Sequence, residues 1–77
     1  MSVENDIQVI FRRVLHEPNL ELRPELSSWD VPAWDSLAHA QILLEIQSQF
    51  AIQLSSAEVI ELQTVGELIH LVKAKLE

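Results

Sequence analysis

The stretch WDSLAHAQILLEIQSQF, residues 34–50, carries the reading of the whole chain. Wound at about 100° per residue, it puts Leu37, Ala40 and Leu44 on one side and Ile42, Leu43, Ile46 and Phe50 on another. Gln41, Glu45, Ser48 and Gln49 keep a polar strip. The pattern predicts a helix over Ser36–Phe50 with Asp35 as its N-cap. A helix needs only one apolar stripe for its core, so the second has to be explained. Either this helix is central and packed on most sides, or the extra stripe is a partner-facing patch that begins beside Ser36.

Upstream, Ile7, Ile10, Phe11, Val14 and Leu15 recur at i, i+3, i+4, i+7 and i+8 and predict an amphipathic helix. Ser2 or Asn5 can cap it, Arg12, Arg13 and His16 suit its negative end, and Pro18 is expected to stop it. From 17 to 35 no period persists, and Pro18, Pro24 and Pro32 break any helix. Leu20, Leu22, Leu26, Trp29 and Val31 are nevertheless too apolar for a free linker. The segment is expected to lie across the bundle, with one short turn around 24–27.

Downstream, SSAE sets Ser55 three residues before Glu58, and TVGE sets Thr64 three before Glu67. Both spacings predict a reciprocal capping box. A short helix should follow Ser55 as far as about Leu62. A longer one should follow Thr64, with Val65, Leu68, Ile69, Val72 and Leu76 on one face. FAIQL, residues 50–54, has strand character but no strand to pair with. The predicted fold is all-α: a small bundle of three longer helices plus one short helix, with a long loop between the first and second helices.

Seventy-seven residues form one domain over 1–77, near the lower size for a core without staples. The chain has no cysteine, so its 48% hydrophobic content must hold the fold alone. The net charge is −7, and Arg23 is the only Lys or Arg between Glu17 and Glu67. A field of that sign repels nucleic-acid backbones and anionic lipid. No apolar run approaches a membrane span, and the N-terminus does not read as a secretion signal. A soluble, cytoplasmic, monomeric domain is expected, binding neither nucleic acid nor membrane.

Catalysis finds little support. His39 lies at i+3 from Ser36, but there is no G-x-S-x-G elbow and Gly66 is the sole glycine. His16, His39 and His70 sit on separate predicted helices without metal-ligand spacing. His39 reads as a boundary residue of the core. The chain is read as no enzyme. Ser36 at a first helical turn is instead an exposed hydroxyl on a rigid element, next to unpaired N–H groups at the positive end of the helix. A phosphodiester placed there would find its charge welcome. Ser is also common in first turns for local hydrogen bonding alone.

Asp35-Ser36-Leu37 opening a helix after a long apolar-studded loop resembles the acyl and peptidyl carrier proteins. The similarity covers nearly the whole chain, including QSQF at the end of the second helix and the last helix after LQTVGEL. It implies that Ser36 receives 4′-phosphopantetheine from coenzyme A through a phosphopantetheinyl transferase using Mg²⁺. The arm would hold acyl or aminoacyl cargo as a thioester. Asp35 and Leu37 match positions read by the transferase and later partners. Leu37, Ala40, Gln41 and Leu44 match the recognition face, and Ile42, Leu43, Ile46 and Phe50 the inner face, where some carriers shelter an acyl chain. A loading ligase and downstream transferases or synthases are the implied further partners.

Two departures stand out. Ala33, followed by Trp34, occupies a place where the family usually has glycine, so a different approach to the helix is expected. Trp34 either packs against the loop or lies along the arm. The second helix of fatty-acid carriers is rich in acids, whereas here Ser36–Phe50 keeps only Glu45. That favours a stand-alone carrier for a dedicated pathway over the housekeeping fatty-acid one, with partners chosen by apolar fit. The competing reading is an acidic protein-interaction module with Ser36 unmodified or phosphorylated.

Overall fold

The computed structural model describes residues 2–77. Four helices follow one another: α1 (Val3–Leu15), α2 (Ser36–Phe50), α3 (Ser56–Val59) and α4 (Val65–Leu76). The all-α fold predicted from the sequence is the one observed, and among the described residues there is no strand. Of the strand-like run 50–54, Phe50 ends α2, Ala51 caps it, and 52–54 form an irregular connection whose Leu54 amide donates to Gln47 Oε1 at 3.0 Å.

Helix α1 packs against both α2 and α4. Ile7, Ile10 and Phe11 from α1 meet Ile42 and Ile46 from α2 and Val65, Leu68 and Val72 from α4, all at 0–1% exposure. Burying side chains of this size stabilises a fold by about 1.5–3 kcal/mol each. In a chain without cysteines, that burial carries the structure.

The helix ends show which local signals acted. Ser2, not Asn5, caps α1, its hydroxyl accepting the Asn5 amide at 3.0 Å. The helix ends before Pro18 can act. His16 turns left-handed (φ 56°, ψ 40°), and the amides of His16 and Glu17 both donate to Arg12 O. Histidine is among the residues that enter this region with least difficulty. Ser55 and Glu58 form the full reciprocal box. The second box is displaced by one residue: Thr64 Oγ1 accepts the Glu67 amide, but the Glu67 carboxylate accepts from Gln63 rather than Thr64. Helix α3 stops at Val59 and not near Leu62, because Thr64 must be extended (φ −130°, ψ 162°) to cap α4.

The 17–35 segment is fastened down, as expected, but by four turns rather than one. They close through Leu20 to Glu17, Leu26 to Arg23, Asp30 to Ser27 and Trp34 to Val31. Side chains of α1 hold its first half: Arg12 Nε donates to Leu20 O at 2.6 Å, and the Leu22 amide donates to Gln8 Oε1 at 2.8 Å. Backbone holds its second half, Val65 donating to Leu26 O at 2.9 Å and Gly66 to Pro24 O at 3.0 Å. A Cβ on Gly66 would stand 3.0 Å from Pro24 O, so any larger residue would push the loop a few tenths of an ångström off α4.

Leu26 and Val31 are buried and Leu20 and Leu22 partly so, whereas Trp29 is 95% exposed. The expectation that Trp29 packs down is corrected. Asp30 Oδ2 accepts both the amide and the hydroxyl of Ser27, forming a tight turn that carries residue 29 on its outer side. Trp34 is the indole that enters the core.

Candidate functional site

Helix α2 begins as the sequence predicts. Asp35 is extended (φ −96°, ψ −174°); its Oδ1 accepts the Ala38 amide at 2.9 Å and its carbonyl accepts His39 N at 2.8 Å. Ser36, the first helical residue, is exposed. The amides of Ser36 and Leu37 have no acceptor inside the helix. At the start of α4 the equivalent amides, Val65 and Gly66, are taken by the loop carbonyls. The positive end of α2 therefore faces outward at Ser36. Ala33 needs no glycine-like backbone: positive φ among the described residues is confined to His16 and Ala51.

Behind Ser36 lies Trp34, 6% exposed, its ring edge-on to Phe11 with centroids 5.0 Å apart. Its Nε1–H donates to His39 Nδ1 at 3.0 Å. Burial holds the His39 pKa below its ordinary value, so the neutral ring keeps the lone pair that this bond requires. The hydrogen bond of His39 thus goes to the indole of Trp34, which suits the boundary role read from sequence. Among the described residues, no three His, Cys, Asp or Glu side chains are grouped to hold a metal ion.

A groove of about 840 Å³ runs beside Ser36, with Trp34 and His39 along its floor. Trp29 of the loop and Ile60, 81% exposed after α3, stand at its edges. Ser27 and Gln63 add polar groups to its lining. The sequence pointed to Ser36 and Asp35 but not to Trp29 or Ile60. An aromatic in a turn held by Ser27 and Asp30 was the available signal for Trp29; for Ile60 there was none.

The two stripes of α2 have separate fates. Ile42, Leu43 and Ile46 are buried and Phe50 partly buried. Leu37 and Leu44 are 70% and 66% exposed, with Ala40 and Gln41 exposed between them. The helix is not packed on most sides; its second stripe has no partner within the chain. Glu45, the one acid of α2, pairs with Arg13 of α1. That face consequently presents apolar groups and an amide.

A family model described as a phosphopantetheine attachment site matches residues 5–72. The chain belongs to that family. Among solved structures it is similar to a holo acyl carrier protein from Geobacter metallireducens, with 33% identity over 99% of this chain and 87% of that one, and a TM-score of 0.91. A Mycobacterium tuberculosis structure, described as that of a candidate acyl carrier protein, shares the fold at 23% identity and a TM-score of 0.87, covering 95% of this chain and 97% of that one. No curated protein sequence gives a match. As a phosphopantetheine-binding carrier, the chain is not a catalyst; its function depends on a covalently attached 4′-phosphopantetheine. Carriers of this family meet phosphopantetheinyl transferases and acyl-handling enzymes. No helix among the described residues is long and apolar enough to cross a membrane.

Proposed function

We propose that Ser36 is the attachment residue and that residues 1–77 act as one carrier domain. A transferase would join the phosphopantetheine phosphate of coenzyme A to Ser36 Oγ, releasing 3′,5′-adenosine diphosphate. The arm supplies a terminal thiol that holds a carboxylic acid as a thioester.

One observation carries the reading: an exposed hydroxyl on the first residue of α2, with two unpaired amides beside it and a lined groove next to it. The residues fit the group. The Ser36 and Leu37 amides and the helix dipole favour a phosphodiester. The mixed lining of the groove suits an arm of amides and methylenes. Asp35 fixes the helix start, and its exposed carboxylate is a mark for partners to read. Leu37, Ala40, Gln41 and Leu44 form the docking face.

The cargo is an acyl or aminoacyl group passed between a loading ligase and downstream transferases or synthases. A dedicated biosynthetic pathway fits better than housekeeping fatty-acid synthesis, because the docking face offers no unpaired acid to a basic partner. Intact-mass spectrometry after incubation with coenzyme A, Mg²⁺ and a broad-specificity transferase tests the assignment. One phosphopantetheine on the wild type and none on Ser36→Ala is expected. Modification of folded Ser36→Ala, or none on the folded wild type, overturns it.

A further inference from the structure

The groove beside Ser36 has a floor that is also part of the core. Among the described residues, Trp34 is the one buried core side chain that lines it, with Val59 and Leu62 partly buried beside it. On one side the indole borders the groove; on the other it meets Phe11 edge-on at 5.0 Å. His39 holds it from above through the Nε1–H bond to Nδ1 at 3.0 Å. Ile7, Ile10, Ile42 and Ile46, each at 0% exposure, belong to the same core. Interiors packed this way keep few voids larger than a water molecule. A guest entering past Trp34 has to unseat it, which breaks its hydrogen bond and its contact with Phe11 together.

Resting on the assignment of Ser36 as the attachment residue, we propose that Trp34, pinned by His39, closes the core to the cargo and so selects short or compact acyl and aminoacyl groups. Such groups lie within the groove, against the exposed ring of Trp29 and the side chain of Ile60. Polar atoms of the cargo meet the hydroxyl of Ser27 and the amide of Gln63 at its edges. A long alkyl chain gains little in an open groove, since much of its surface stays wet, and the closed floor denies it the dry interior. Trp34 here is a specificity-determining residue and His39 its positioning residue.

The test loads the wild type with acetyl and with dodecanoyl pantetheine arms from the corresponding coenzyme A thioesters. Intact mass is recorded first. Methyl resonances of Ile42, Ile46 and Val72 and the thermal midpoint are then compared. In the wild type the two forms should share core methyl positions and midpoint. In Trp34→Val the dodecanoyl form should shift those methyls and melt above the acetyl form. In His39→Ala, which frees the indole without emptying the core, the same change should appear in smaller degree.

Dodecanoyl-induced core shifts in the wild type overturn the proposal without any variant. Core methyls that stay fixed in a folded Trp34→Val or His39→Ala remove the selecting role from Trp34. Failure to load is visible in the mass spectrum before any resonance is compared. It refutes the attachment assignment, and this proposal with it.

Discussion

The side chain of Asp35 accepts the amide of Ala38 at 2.9 Å, closing the first turn of α2 around Ser36. In the proposed reading this carboxylate serves both structure and recognition, and two substitutions separate them. Asp35→Ala removes the cap and should cost about 1 kcal/mol in urea denaturation. Asp35→Asn keeps a capping oxygen and should stay within a few tenths of a kcal/mol of the wild type. Its rate of phosphopantetheine transfer should still fall by roughly tenfold, the size of one lost hydrogen bond to a charged group. Equal rates for Asp35→Asn and the wild type would show that partners do not read the charge.

Helix α2 ends on Ala51 in the left-handed region (φ 55°, ψ 44°), with the amides of Ala51 and Ile52 donating to Gln47 O. A side chain there opposes the conformation by about 1–2 kcal/mol, part of which glycine recovers. Ala51 is exposed, so no packing is lost. Ala51→Gly should therefore raise stability by about 0.5–1 kcal/mol. A denaturation midpoint that falls instead would contradict the geometry.

Acid should weaken the fold at two places. Glu58, bonded to Lys75 and to the Ser55 backbone, has its pKa lowered from 4.5 to about 2. His39 is lowered below 6.5 by burial. Both groups bind their proton less tightly when folded, so each contribution is present above the unfolded value and lost as pH falls. The Trp34 indole N–H resonance should move first, below pH 6.5, as protonated His39 can no longer accept its bond. Amide protection in α3 should fall later, between pH 4.5 and about 2, and Glu58→Gln should flatten that second step.

Docking through the outer stripe of α2 should depend on shape more than charge. Leu44→Ala and Leu37→Ala should each weaken transferase binding by roughly tenfold while leaving stability within about 0.5 kcal/mol, since both side chains are exposed. Binding to the pathway's own enzymes should fall by only about threefold from low to physiological salt, because Glu45 is already paired with Arg13. Calorimetric titrations across salt decide the matter, and a steep loss would place an unseen acidic contact at the interface.

The parts that were legible in sequence are those written within three or four residues. The span of α2, its Asp35 cap, the Ser55 and Thr64 caps and the division of α2 into two stripes all follow from neighbours along one helix. Misread features depend on partners far along the chain. Gln8 holds Leu22, Arg12 holds Leu20, and the start of α4 holds Pro24 and Leu26. None of these bonds leaves a periodic trace in the loop, and so its four turns and the outward Trp29 stayed hidden. The Trp34–His39 bond was hidden for another reason. Five residues separate the pair across a loop-to-helix junction, where helical spacing says nothing about direction.

The fastening of Pro24 and Leu26 to Gly66 and Val65 also has a temporal side. Loop carbonyls near the first third of the chain wait for amides in its last quarter. Closing so long a span costs entropy that is recovered only when the far contacts form. On the ribosome, Ser36 emerges well before α4, while Pro24 and Leu26 of the loop that flanks it have no α4 amides to fasten to. The hydroxyl is then chemically present but not yet framed by its groove. If Ser36 is the attachment point proposed above, its maturity is set by the synthesis of α4, and an unfinished chain offers modifying enzymes a serine without an address.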